Sequence, residues 1–237
     1  MSTKRSLSLQ IEEFVHRQSS TKPLKSAPRP TKHQMRQWVA EDPDSLQAKL
    51  AVSPYAAILA SPMRYCTFHR KKYPSHLLAR FGLGLDPTTY KPTAYPTQDH
   101  DSGRGYYVKL NRKVLQQIQS KEYKRLFRGD VRYAKSMATH LEHVMIQDLI
   151  HQAQALPPLI PIDNETEHHQ YQCILHMNAS SLSETKAPVY DVSSPPWQPL
   201  HQTLPQSCAA LGVPKSIDTV PLAIALHRFN QWVQSSI

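Results

Sequence analysis

Proline places the strongest limit on how this chain can fold. The 237 residues contain 20 prolines and only six glycines. Because proline lacks an amide hydrogen and interrupts helices and central strands, this many prolines favour extended connectors over one dense core. The length suits one or two small domains. The pattern of short helical and strand-like segments predicts an α+β fold.

Positive charge is concentrated in one segment near the middle of the chain. The whole chain has a formal net charge of +10, from 28 Lys and Arg against 18 Asp and Glu. Residues 61–132 contain 15 Lys and Arg against five Asp and Glu, whereas the two flanks cancel each other. Such concentration favours a polyanionic partner, because phosphates pair with Lys and Arg and release counterions. The alternative is a solvated basic surface without a ligand.

The composition argues against several classes of protein. No apolar run is long enough to span a bilayer, so we expect no membrane span. The three cysteines, Cys66, Cys173 and Cys208, lie far apart and are odd in number, which favours a reducing compartment over a secreted disulfide framework. We find no nucleotide loop, nucleophile motif or clustered carboxylates. We therefore expect no enzyme, no cofactor and no small-molecule substrate.

The N-terminal segment has much of the composition of a mitochondrial transit peptide. Residues 1–40 are basic and rich in Ser, Thr and Pro, and four apolar residues between positions 7 and 15 fall on one face of a predicted helix. The adjacent acids Glu12 and Glu13 are unusual in such peptides. We interpret residues 1–50 as either a transit peptide for the matrix or a disordered basic tail that adds affinity for RNA. The motif Asp-Pro-Asp-Ser that ends at Ser45 predicts the start of a helix.

Two blocks in the basic segment carry the clearest functional signal. The first block begins with a predicted strand at Arg64 and continues through a basic turn, Arg70-Lys71-Lys72-Tyr73-Pro74. A loop is predicted over residues 82–101. The second block is Ser102-Gly103-Arg104-Gly105-Tyr106-Tyr107-Val108-Lys109-Leu110, and Asn111 after it is predicted to cap a basic helix that reaches Phe127.

The Gly-Arg-Gly turn of the second block suggests how the segment binds a nucleic acid. Glycines on both sides of Arg104 permit positive φ and a close approach of the backbone to a ligand. The arginine can then bind a phosphate with two hydrogen bonds or stack on a base. In the strand that follows, one tyrosine ring points outward as a stacking platform and the other points inward. A hairpin turn with two core tyrosines is the alternative.

Cys66 and His69 have the spacing of half a zinc site. Structural zinc takes four ligands, usually from two such pairs. No second pair stands nearby, because His76 and His100 are isolated in the sequence. We therefore predict no metal site and interpret Cys66 as a small core residue.

Together these motifs resemble the bacterial YlxR family. The resemblance covers about residues 63–127 and rests on Arg-x-Cys at Arg64, Leu-Leu-x-Arg-Phe that ends at Phe81, and Gly-Arg-Gly-x-Tyr-Val before a basic helix. It implies a small α+β RNA-binding domain with a basic cleft, in a family associated in bacteria with ribonuclease P RNA and translation operons. His69 stands where many members have a second cysteine, the loop before Gly103 is longer, and the long C-terminal segment has no counterpart.

The resemblance and the charge pattern divide the chain into five parts. They are a tail over residues 1–50, a YlxR-like domain over 51–131, an amphipathic helix over 132–156, a linker over 157–170 and a small α+β segment over 171–237. In the last part we predict strands over 171–177 and 189–192, a short helix over 207–211 and a final helix that begins near Asp218-Thr219.

We therefore expect an RNA-binding protein of the mitochondrial matrix. It would be a ribosome-associated or assembly factor, a ribosomal component or an accessory of RNA processing. Its partners would be ribosomal RNA or the RNA of a processing enzyme, together with mitochondrial ribosomal proteins. The alternative is a protein–protein adaptor that uses its C-terminal helices and meets an acidic partner with its basic centre. The expected RNA-binding residues are Arg64, Arg70, Lys71, Lys72, Arg80, Gly103, Arg104, Gly105, Tyr106, Tyr107, Lys109, Arg112, Lys113, Lys124 and Arg125.

Overall fold

A computed structural model describes most of the chain after the first 28 residues. The described residues are 29–97, 105–118, 126–127, 130–134, 136–155, 159–162, 170–178, 187–205 and 208–235. Within them, seven α-helices and two mixed sheets form an α+β fold that ends in a helix, which confirms the predicted fold class. None of the described helices is both long enough and apolar enough to cross a membrane.

Three capped helices open the described part of the chain. They are α1 (Lys32–Glu41), α2 (Leu46–Ala51) and α3 (Pro54–Ala60). The hydroxyls of Thr31, Ser45 and Ser53 each accept a hydrogen bond from a first-turn amide, as expected of N-cap residues. The predicted helix start at Ser45 is thus confirmed, whereas α1 was not predicted.

Helix α1 is held against the C-terminal part of the chain by charge. Lys32 Nζ lies 2.7 Å from an Asp218 carboxylate oxygen, and Arg36 Nη2 lies 2.9 Å from the same oxygen. These two bonds and the nearby charges keep the pKa of Asp218 below its ordinary value. The segment interpreted as a basic tail therefore contains two helices, α1 and α2. The apolar residues between positions 7 and 15 lie outside the described residues.

The first sheet has five strands in the order β2-β1-β5-β3-β4. They are β1 (Met63–Cys66), β2 (Lys71–Pro74), β3 (Leu78–Leu85), β4 (Pro92–Pro96) and β5 (Tyr106–Lys109), with a 3-10 turn over Ser75–Leu77. Strand β5 runs parallel to β1 and antiparallel to β3. Strand β5 therefore lies at the centre of the sheet, and both sequence blocks contribute strands to it.

The prediction of a loop over residues 82–101 is wrong for its described part. Strands β3 and β4 form an antiparallel hairpin there. Gly82 lets the Tyr95 ring pack over the strand, since a Cβ at that position would come within 2.9 Å of the ring. Pro92 and Pro96 lie in β4, which is an edge strand, and an edge strand tolerates residues that cannot donate a ladder hydrogen bond.

Two helices follow the first sheet, and the first of them is described over a shorter range than predicted. Helix α4 covers only Arg112–Gln117, and Asn111 caps it by accepting a hydrogen bond from the Val114 amide at 3.1 Å. The rest of the predicted basic helix, up to Phe127, lies mostly outside the described residues. The long helix predicted over residues 132–155 is confirmed as α5 (Met137–Ala155).

A second sheet and two helices complete the fold. The sheet has the order β6-β9-β7-β8 and contains β6 (Ile160–Pro161), β7 (Tyr171–His176), β8 (Val189–Asp191) and β9 (Ala210–Pro214). A 3-10 turn over Pro195–Trp197 leads into the short helix α6 (Gln198–His201), and α7 (Val220–Gln234) ends the described chain. Strands β7 and β8 and helix α7 confirm the predictions for this segment.

The prediction of a helix over residues 207–211 is wrong. Residues from Ala210 onward form strand β9, which lies between β6 and β7. Gly212 leaves room for the Tyr171 ring, because a Cβ there would come within 2.4 Å of the ring. Pairing with two neighbouring strands overrides the helical preference of the alanine and leucine in this segment.

One hydrophobic cluster connects the two sheets. It extends from Ala79 and Phe81 of the first sheet, through Leu149 on α5, to Phe229 and Trp232 on α7. All but Ala79 have no exposed surface. The division into a YlxR-like domain and a separate C-terminal segment stays a prediction, and the shared core gives it a direct test.

Candidate nucleic-acid interface

The register of the first sheet brings basic residues of both sequence blocks onto one face. Tyr107 pairs with Cys66 of β1, and Cys66 pairs with Lys71 of β2. Directly paired residues direct their side chains to the same face, as do residues two apart on one strand. Arg64 and Lys109 therefore share that face. We call Arg64, Lys71, Tyr107 and Lys109 the basic face; its three charged residues are exposed.

An arginine and an aromatic ring meet at the centre of the basic face. The Arg64 guanidinium carbon lies 5.7 Å from the centre of the half-buried Tyr107 ring, within the range of a cation–π contact. Tyr106 points the opposite way, is only 8% exposed, and packs edge-on against Phe127 at 5.3 Å between ring centres. The expected alternation of the two rings is thus observed. Tyr106 is a core residue.

Cys66 and His69 support the turn beside the basic face. The Cys66 sulfur is buried and accepts hydrogen bonds from the amides of His69 at 3.4 Å and Lys109 at 3.3 Å. Burial, followed by the charges of Lys109 and Lys71, lowers the pKa of His69 and so favours its neutral form. The charge of the face therefore comes from lysine and arginine. Within the described residues no group of three or more His, Cys, Asp or Glu could hold a metal ion.

Arg70 occupies a strained position in this turn. Its φ is 55°, in the left-handed region that costs a non-glycine residue about 1–2 kcal/mol. We expect Arg70→Gly to raise the free energy of unfolding by about 0.5–1 kcal/mol, because glycine accepts this conformation without strain. Urea titration followed by circular dichroism measures the change. The control is Lys71→Gly in extended strand β2, which should lower stability by a similar amount; two losses of equal size would contradict the prediction.

Arg80 is buried, although it is one of the expected RNA-binding residues, and that expectation is wrong for an exposed surface. It is only 7% exposed and lines a cavity of about 380 Å³ between the first sheet and helices α5 and α7. Gly105 makes this position possible, because a Cβ there would lie 2.5 Å from Arg80 Nε. The φ of Gly105 is outside the left-handed region. A glycine is needed here because the Arg80 side chain packs against the backbone, and not because the backbone has a positive φ.

The other predicted site residues do not join the basic face. Arg112 forms an ion pair with Glu142 of α5 at 3.0 Å and so belongs to the packing between helices. Lys72 is exposed but pairs with Tyr65, on the opposite side of the sheet from Lys71. Lys113 is exposed on α4. The residues Gly103, Arg104, Lys124 and Arg125 lie outside the described residues.

Sequence reasoning missed the helical wall of the cavity. Asp148 and Gln152 of α5 and Arg228 of α7 line it, opposite Arg80 and Tyr107. One local signal was present, since Arg228 is the only Lys, Arg, Asp or Glu in the largely apolar sequence of α7. An isolated charge in a buried helix indicates a specific partner or a site. Its position opposite Arg80 depends on contacts between distant parts of the chain.

Comparison with known proteins adds no family or neighbour. The chain matches no family model, and no curated protein or solved structure is significantly similar to it. The interpretation of the site therefore rests on its own geometry and charge.

Proposed function

We propose that this protein binds RNA through the basic face of its first sheet. The observation that carries the proposal is the contact between the Arg64 guanidinium and the Tyr107 ring, with Lys71 and Lys109 exposed on the same face. Lysine and arginine pair with phosphates, and an aromatic ring beside them offers a surface on which an unpaired base stacks. Single-stranded RNA presents both groups together.

The charge distribution supports the proposal independently of the sheet geometry. The +10 net charge of the chain equals the excess within residues 61–132, and these residues supply β1 to β5. The resemblance to the YlxR family points to the same ligand. A role of this RNA binding in a mitochondrial ribosome, its assembly or RNA processing is part of the proposal.

The alternative of a protein–protein adaptor is less well supported by the geometry. It used the C-terminal helices, among them the amphipathic helix α5, to bind a partner. In the structure Met137, Leu141, Met145 and Leu149 are buried within the core of the chain itself. A partner protein would therefore have to bind another surface.

The proposal predicts a large effect of charge on RNA affinity. We expect the triple variant Arg64→Ala, Lys71→Ala and Lys109→Ala to bind single-stranded RNA much more weakly, because three phosphate contacts are lost. The slope of log affinity against log salt concentration should become shallower by about two. Fluorescence anisotropy with a labelled RNA, measured over a range of salt concentrations, gives both quantities.

The control is a second triple variant that removes the same number of positive charges from other parts of the surface. Arg36→Ala, Lys49→Ala and Lys215→Ala are changes at exposed positions outside the basic face. We expect this variant to keep most of the affinity. Equal losses in the two variants would show that the protein attracts RNA only through its overall charge and would refute the assignment of the face.

A further inference from the structure

Two arginines face one cavity from opposite sides of the fold. Arg80 comes from β3 of the first sheet and Arg228 from α7, 148 positions later in the sequence. Gly105 lets Arg80 pack closely against β5, and Arg228 Nη2 lies 3.5 Å from the Leu78 carbonyl oxygen. Both side chains are thus positioned by the fold. A pair of guanidinium groups lining one cavity is suited to an anion with several oxygen atoms.

The same cavity contains buried polar atoms without partners. Arg228 Nε and Gln152 Oε1 are inaccessible to solvent and have no hydrogen-bond partner among the described residues. Buried polar groups are nearly always hydrogen-bonded, so this donor and this acceptor, on two residues that line the cavity, can bond to a molecule bound there. Asp148 beside them accepts a hydrogen bond from Gln152 Nε2 at 3.0 Å and has further acceptor capacity.

We propose that this cavity binds a phosphorylated nucleotide. The two guanidinium groups would hold the phosphate, and the Asp148 carboxylate and Gln152 Oε1 would accept hydrogen bonds from hydroxyl or amino groups of the nucleoside. Tyr107 lines the cavity and also belongs to the basic face, so the two sites adjoin. The cavity volume of about 380 Å³ lies within the usual range for small-ligand sites.

The nucleotide can be free or can be the phosphorylated end of an RNA strand. A free nucleoside monophosphate and a 5′-terminal nucleotide present the same groups to the cavity. The second source rests on the proposed RNA-binding function, because the strand would continue from the cavity across Tyr107 onto the basic face. The two sources are separated by the probes of the experiment.

The test measures whether a phosphate strengthens binding through Arg228. One arm compares adenosine and uridine monophosphates with the corresponding nucleosides by calorimetry. The other compares 5′-phosphorylated with 5′-hydroxyl RNA of the same sequence by anisotropy. We expect Arg228→Gln to weaken the binding of the phosphorylated probe by roughly tenfold to a hundredfold, since one charged hydrogen-bonding group is lost. Ala225→Leu, which fills the cavity and keeps both arginines, should also abolish the phosphate preference.

Each outcome decides between the sources or refutes the proposal. A phosphate preference only in the first arm assigns the cavity to a free nucleotide, and one in the second arm assigns it to an RNA end. Absence of any Arg228-dependent preference in variants that melt like the wild type overturns the proposal. Binding of 5′-hydroxyl RNA should depend on Arg64 and not on Arg228, so failure of the basic face and failure of the cavity are distinguishable.

Discussion

Replacing Trp232 by alanine is expected to lower the free energy of unfolding by about 3–5 kcal/mol. The side chain has no exposed surface and belongs to the cluster that connects the two sheets. Its Nε1 also donates a hydrogen bond to Glu142 at 3.0 Å, and the same carboxylate oxygen binds Arg112 at 3.0 Å. The substitution leaves a large cavity and removes one donor from this network. Since small domains are stable by only about 5–15 kcal/mol, the loss should be evident in any denaturant titration.

Two further variants separate packing from hydrogen bonding at this position. Trp232→Phe keeps most of the ring and removes the donor, so we expect a loss of about 1 kcal/mol from the missing bond, together with a smaller packing loss. Trp38→Ala is the matched control on α1, where the side chain is only half-buried, and it should cost far less. Equal losses for Trp38 and Trp232 would contradict the position of Trp232 in the core.

The second large effect tests whether the two sheets unfold together. We expect Phe81→Ala to lower the free energy of unfolding by about 3–5 kcal/mol, because the fully buried ring packs edge-on against Phe127 at 6.0 Å and lies beside Tyr133. The predicted domain division would confine this loss to the YlxR-like part. The shared core predicts that the second sheet loses the same stability.

Tryptophan fluorescence in a Trp38→Phe background reports the answer, because the two remaining tryptophans, Trp197 and Trp232, both lie in the C-terminal part. With one cooperative core, Phe81→Ala should shift their unfolding transition by the same amount as the transition seen by circular dichroism. A fluorescence transition that stays in place would instead establish two independent domains. Leu85→Ala, in the same strand but 68% exposed, should change stability by no more than about 0.5 kcal/mol.

The sequence predicted correctly the elements that depend on residues close together in the chain, and it missed elements that depend on contacts between strands. The cap at Ser45, the amphipathic α5, the strand at Tyr106 and the final helix after Thr219 all depend on residues within one or two turns of each other. Local patterns of this kind are visible in the sequence. The hairpin β3–β4 and strand β9 were missed because Tyr95 and Tyr171 pack over glycines of neighbouring strands, and local composition does not reveal that packing.

The same distinction between local and long-range information applies to the candidate site. The sequence by itself determined where the positive charge is concentrated, and it identified Arg64, Lys71, Tyr107 and Lys109 as candidates, because charge and residue type need no fold to be counted. Only the tertiary structure decided that these four share a face, since the pairing of β5 with β1 sets which side chains align. It also decided that Arg80 lies inside and faces Arg228, because the close approach at Gly105 and the packing of α7 bring together residues that are far apart in the chain.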